Sequence, residues 1–188
     1  MINELNKKEI EKFSRQIILK NVGTLGQTKI KQAKVLIIGA GGLGCPVAEF
    51  LTRAGIGVIG VVDNDLVNLS NIHRQSLFNI KDLKKSKVKC VKKKLKEINP
   101  KTLVKIYNIR LNEKNAKKLI KDYDYIVDGS DNFETKFLIN DFSLKLKNFL
   151  QWERLVSLMA IFLPIILIII RHLVLDVFFK KIKFQMRS

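Results

Sequence analysis

Four short apolar runs, each followed by a segment of helical periodicity, set the rhythm of the chain as far as residue 147. Val35–Ile38, Gly57–Val62, Leu103–Asn108 and Tyr125–Asp128 are the runs. Their length and β-branched content predict strands buried on both faces. The segments after them predict helices over Gly42–Ala54, Asp82–Ile98, Glu113–Lys121 and Asn132–Lys147. In the second of these Val88, Val91, Leu95 and Ile98 share one face, and Asn99-Pro100 stops it. Upstream, Ile10, Phe13 and Ile17 stand at helical spacing around Asn6–Gln16, and Thr28–Ala33 predicts a short helix. Leu66–Asn79 is polar and irregular. Strands alternating with helices predict an α/β, Rossmann-like, doubly wound and mostly parallel sheet. The expected division is an N-terminal helical segment over 1–33, a nucleotide-binding domain over 34–148 and a tail over 149–188.

The junction between the first strand and its helix carries the most chemistry. V-L-I-I-G-A-G-G-L-G-C runs from an apolar strand through Gly39, Gly41, Gly42 and Gly44 into a helix. Glycines let the backbone approach phosphates, and the free N–H groups of the helix start favour an anion. The second strand ends in Asp63-Asn64-Asp65, about 20 residues on, where an acid can hold a ribose hydroxyl. Arg74 and Lys87 follow in the same crossover, and Asp131 follows the fourth strand. Cations neutralise phosphate charge and hard carboxylates hold Mg²⁺ or its waters, so the set suits a Mg²⁺-bound triphosphate. An NAD-dependent oxidoreductase would use the turn and Asp63 but has less need of Arg74, Lys87 and Asp131 together. No P-loop consensus is present.

Composition changes this picture in one respect. The 188 residues carry a formal charge of +18. Lysine far outnumbers arginine and is scattered, with a cluster over Lys84–Lys96, and no nucleic-acid motif accompanies it. Nucleic acid is therefore not the expected partner, whereas an acidic protein would suit the surface. Two cysteines, Cys45 and Cys90, give no disulfide framework or metal knuckle. The polar N-terminus is no signal peptide, and a cytoplasmic location is expected.

S-R-Q-I, G-A-G-G-L-G-C, D-x-D, L-S-N-x-x-R-Q, a lysine before a helix, N-P and D-G-x-D-N occur here in one order, between about Ile10 and Phe149. Together they resemble the ubiquitin-activating-enzyme-like adenylyltransferases. The bacterial branch includes molybdopterin-synthase adenylyltransferase and the thiamine-pathway sulfur-carrier adenylyltransferase. The resemblance implies ATP-dependent adenylylation of the C-terminal Gly-Gly carboxylate of a small ubiquitin-like sulfur carrier, with acyl-AMP and pyrophosphate as products. It implies that Gly42 lies against phosphates, that Asp63 holds the ribose, and that Asn71 and Arg74 contact phosphates. Lys87 would neutralise charge near the α-phosphate, Asp131 would organise Mg²⁺, and Asn132 would line the pocket. Asp65, Ser70 and Gln75 belong to the same matched segments and are taken with the nucleotide-binding set. Arg15 resembles the arginine that reaches into a partner protomer's ATP, which implies a homodimer. Asp65 as a turn residue, Lys87 as a solvated lysine, Gln75 as a loop residue and Arg15 as a helix cap stay open as readings of the residues alone.

The tail departs from this pattern. The family continues with a G-A-x-x-x-x-x-G strand pair and often two zinc-binding C-x-x-C pairs, and none is present in this frame. Instead Leu155–Ile170 is almost wholly apolar, flanked by Arg154 and Arg171. Reading the codons for Gln151–Pro164 two nucleotides later forces two glycines at the family's spacing and permits V-G-A-I-S-K-F-D-G-H-I-F-T. The expectation is a frameshifted or truncated family member, possessing the ATP half and able to bind nucleotide without turnover. A membrane-tethered remnant, anchored through Leu155–Ile170 and kinked at Pro164, is the rival reading of the tail.

Overall fold

The computed structural model describes residues 5–146 and 149–152. Its elements are α1 (Lys7–Lys12), α2 (Ser14–Ile17), α3 (Gly23–Gln32), β1 (Lys34–Ile38), α4 (Gly44–Ala54), β2 (Val58–Val62), α5 (Lys87–Ile98), β3 (Leu103–Tyr107), α6 (Glu113–Ile120), β4 (Tyr125–Asp128), α7 (Phe133–Leu146) and β5 (Phe149–Trp152). The sheet order is β3-β2-β1-β4-β5, and every pairing is parallel.

The period of two along β1 explains the double winding. Val35 and Ile37 enter a core built with Ile30 of α3, Val47, Ala48 and Leu51 of α4 and Val88, Val91 and Leu95 of α5. Leu36 and Ile38 enter the opposite core with Ala116, Leu119 and Ile120 of α6 and Ile139 of α7. Order reverses between β1 and β4, so a crevice opens beyond their carboxyl ends, the place where open α/β sheets bind ligands.

Several boundaries differ from the sequence reading. The N-terminal helix breaks at Phe13, a buried residue whose ring packs on Gly55 at the end of α4. A side chain at Gly55 would come within 2.5 Å of that ring, and φ there is +90°, so glycine is the residue that fits. The helix expected from Thr28 begins at Gly23. The helix expected from Asp82 begins at Lys87, because residues 84–87 instead pair with 65–67. Lys84 takes a positive φ of 63° there, which breaks the helical path.

A fifth strand, Phe149–Trp152, pairs with β4, so the sheet runs four residues past the boundary drawn at 148. Alternating strand–helix texture made Asn148 the visible break in the sequence; parallel pairing beside β4 continues through Trp152. The apolar stretch Leu155–Ile170 and the rest of the tail lie outside the described residues. Among the described residues no helix is long and apolar enough to cross a membrane.

Candidate nucleotide site

The crevice is lined by two turns pressed together. Gly39 follows β1 with φ +94°, and a Cβ on it would lie 2.7 Å from the carbonyl oxygen of Gly129, the residue after β4. The N–H of Gly129 in turn donates to the Ile38 carbonyl at 2.8 Å. Contact between the Gly39–Gly44 turn and the 129–132 loop thus follows from the adjacency of β1 and β4. Among the described residues no acceptor takes the N–H groups of Gly42 or Leu43, immediately before the 11-residue α4. Donors of this kind at a helix start are what a phosphate requires.

Asp63, the first residue past β2, braces the turn from the other side. Its Oδ2 accepts from the Ala40 N–H at 2.7 Å and its Oδ1 from the Asp65 N–H at 2.8 Å. Asp65 then meets Lys87, whose Nζ stands 2.8 Å from Asp65 Oδ2. One hydrogen-bonded chain therefore leads from Lys87 through Asp65 and Asp63 to the glycine turn. Arg74 reaches the turn independently: its Cγ and Cδ would each lie 3.5 Å from a Cβ on Gly42. Its Nη1 donates to the Ser70 carbonyl at 2.8 Å and lies 3.4 Å from His73 Nε2.

The 129–132 loop has its own support. Asp128 at the end of β4 is 1% exposed. One of its oxygens accepts from the Ser130 N–H at 2.9 Å and the Ser130 hydroxyl at 2.6 Å; the other pairs with Lys136 of α7 at 3.1 Å. Asn132 caps α7 by accepting from the Thr135 N–H at 2.9 Å, and Asp131 is exposed at the crest between them.

The structure thus brings Gly39, Gly41, Gly42, Gly44, Asp63, Asp65, Arg74 and Lys87 around one turn and sets the loop of Asp131 and Asn132 against it. Asn71 is buried, and its Oδ1 caps its own 3₁₀ turn by accepting from the Asn68 N–H at 2.9 Å. Ser70 contributes its carbonyl to Arg74 rather than a hydroxyl contact. Gln75 is buried, with no partner for its Oε1 among the described residues. Arg15 is the residue that the fold does not bring to this turn. It sits two residues from Phe13 at the C-terminal end of α4, whose length of about 16 Å separates it from the glycines at the other end. Cys45 is buried with its thiol toward the Ala40 carbonyl at 3.4 Å, and burial pushes its pKa up to about 12, so it packs and does not serve as a thiolate.

Sequence reasoning had no role for Asp128, Ser130 or Lys136. The D-G-S-D-N segment was visible, but nothing marked its first aspartate as the brace and the second as the exposed acid. Nor did it pair Asp65 with Lys87, since the two stand 22 positions apart and nothing between them signals that contact.

A family model described as "ThiF family" matches residues 13–159. The chain is 44% identical over 135 residues to the sulfur carrier protein adenylyltransferase of Thermus thermophilus, covering 72% of this chain and 50% of that protein. It is 45% identical over 146 residues to the adenylyltransferase and sulfurtransferase MOCS3 of Aedes aegypti, covering 78% and 33%. This chain accordingly spans between a third and a half of the length of these relatives. Among solved structures, E. coli tRNA N6-threonylcarbamoyladenosine dehydratase in complex with AMP superposes with a TM-score of 0.73 at 24% identity, over 77% of this chain and 58% of that one, a likeness of fold. E. coli MccB with ATP gives a TM-score of 0.62 at 31% identity over 65% and 37%.

Proposed function

The chain belongs to the ThiF family, and from that membership we propose that it adenylylates the C-terminal Gly-Gly carboxylate of a ubiquitin-like sulfur-carrier protein at the expense of ATP. The observation that carries the proposal is the meeting of Arg74, the Lys87–Asp65–Asp63 chain and the Asp131 loop on one glycine turn with open N–H donors. Relatives at 44–45% identity bear the names of adenylyltransferases, and one is named for a sulfur carrier.

In this reading a carrier carboxylate oxygen attacks the α-phosphorus. The bond from that phosphorus to its bridging oxygen breaks, and pyrophosphate leaves. The carboxylate is the nucleophile, so the protein contributes position and charge. The N–H groups of Gly42 and Leu43 hold phosphate oxygens, Arg74 and Lys87 draw off the charge that builds on them, and Asp63 takes the ribose hydroxyls. Exposed Asp131, a hard oxygen donor opposite the phosphate turn, fits a Mg²⁺ ion, which would supply further charge neutralisation.

Arg15 enters through a second copy of the chain. Its distance from its own glycine turn supports a homodimer in which each arginine completes the other site. The exposed apolar side chains of Ile18, Leu19 and Leu25 beside it suit such an interface. A cytoplasmic location accompanies this reading. In this reading a reading-frame change within codons 145–155 accounts for the apolar run Leu155–Ile170, and sequencing the locus tests it: codons that cannot yield V-G-A-I-S-K-F-D-G-H-I-F-T refute it.

The test of function is pyrophosphate release from Mg·ATP by the full chain with and without a Gly-Gly carrier. Carrier-dependent release is the outcome that carries the adenylylation reading. NADH binding without release would replace the proposal with an oxidoreductase. Mg·ATP binding without turnover would leave a nucleotide-binding remnant.

A further inference from the structure

Lys87 is an unusual place for a cation. Its side chain is 6% exposed, while that of Asp65 is 61% exposed. It is also the first residue of α5, where the positive end of the helix dipole disfavours an ammonium. A buried charge left unpaired is strongly destabilising, so Lys87 needs a counter-ion supplied by the fold.

Asp65 meets that need from two directions. Its carboxylate holds the Lys87 Nζ at 2.8 Å, and its carbonyl accepts the Lys87 backbone N–H at 3.0 Å. The strands of the surrounding loop fix both residues. Val67 donates to the Lys85 carbonyl at 2.9 Å, Lys84 donates to the Val67 carbonyl at 2.9 Å, and Leu66 bridges Ser86 in antiparallel fashion. Asp65 is held in turn by Asp63, the residue that braces the glycine turn. Main chain and side chain therefore register Lys87 against the phosphate turn before any nucleotide arrives.

We infer that Asp65 is a positioning residue: by pairing with the Lys87 ammonium it fixes that cation beside the Asp63-braced glycine turn, and it does not itself bind the nucleotide. The inference rests on the nucleotide-site reading above and assigns the second acid of the D-x-D pair a task different from that of the first. Asp63 faces the turn; Asp65 faces the lysine.

The experiment is a cycle of Asp65→Asn, Lys87→Met and the double variant in the full chain, with Asp65→Glu as the conservative control. Two readouts are taken: calorimetric affinity for Mg·ATP, and the thermal midpoint without nucleotide. Asp65→Asn is expected to weaken Mg·ATP binding about tenfold, with Asp65→Glu recovering most of the loss. In the Lys87→Met background Asp65→Asn should weaken it no further. The thermal midpoint should fall in Asp65→Asn and rise again in the double variant, because the orphaned ammonium is gone. Fully additive losses in both readouts, or an Asp65→Asn variant that binds as tightly as the unaltered chain, overturn the inference. If the chain binds no Mg·ATP, the functional reading falls, while the thermal cycle still decides whether Asp65 is the counter-ion of Lys87.

Discussion

Arg74 packs its aliphatic stem over Gly42, with Cγ and Cδ each 3.5 Å from the position of a Cβ there. That spacing is ordinary van der Waals contact, so a methyl group at residue 42 fits the folded chain. It does not fit beside a phosphate. Gly42→Ala should keep its thermal midpoint within about 2 °C, yet lose tenfold or more in Mg·ATP affinity by calorimetry. Equal affinity would remove residue 42 from the phosphate contact.

Gly39 should behave in the opposite way. Its φ of +94° is costly for any L side chain, and the Gly129 carbonyl blocks the space a Cβ needs. Gly39→Ala should destabilise the protein by about 2–4 kcal/mol in urea titration, with nucleotide binding lost as a consequence. A variant of unchanged stability would contradict the close approach of the two turns.

Lys136 braces the Asp131 loop through Asp128, which is almost fully buried. Among the described residues, Lys136→Met leaves that carboxylate with Ser130 alone. The expected outcome is a lower thermal midpoint together with weaker Mg²⁺ dependence of ATP binding. Asp128→Asn in the same background should restore part of the stability, since it removes the orphaned charge. No recovery in the double variant would count against the brace.

Acid should loosen the N-terminal helices first. Glu9 is buried; desolvation pushes its pKa up, but the Asn6 N–H and the ammonium groups of Lys31 and Lys101 outweigh it and hold the pKa below its ordinary 4.5. A depressed carboxylate pKa stabilises the fold fully above the ordinary value and loses that contribution as pH falls through the folded value. Glu9→Gln should therefore cost about 1–3 kcal/mol at pH 7, and the difference should shrink below pH 4. Urea midpoints at the two pH values measure it; a difference that grows in acid would reverse the sign.

The Cys45 thiol, pushed up to about 12 by burial, should resist alkylation at pH 8 in the folded chain and react in denaturant. Mass spectrometry of iodoacetamide-treated protein reads this directly. Rapid labelling under native conditions would mean that the start of α4 opens.

Much of the fold was legible because strand runs and helical faces answer to different periods. Val35–Ile38 showed its burial on both faces in four letters, and the α5 stripe of Val88, Val91 and Leu95 is a buried face in the structure. The glycine turn, Asp63 and Arg74 were legible because their residue types are constrained locally. What stayed hidden was set by tertiary pairing. The start of α5 moved from Asp82 to Lys87 because a segment 20 residues upstream captured the intervening backbone. Phe149–Trp152 joined the sheet because β4 offered an open edge, which no pattern within those four residues announces.

The contact of Gly39 with Gly129 has a mechanical consequence. Two turns wedged carbonyl against glycine tie the β1 and β4 sides of the switch point together, so the glycine turn is already formed without a ligand. Were this chain to bind an adenine nucleotide as proposed, little backbone reorganisation would be needed here, and amide exchange around residues 39–44 and 129–131 should slow on binding without any rearrangement of the sheet.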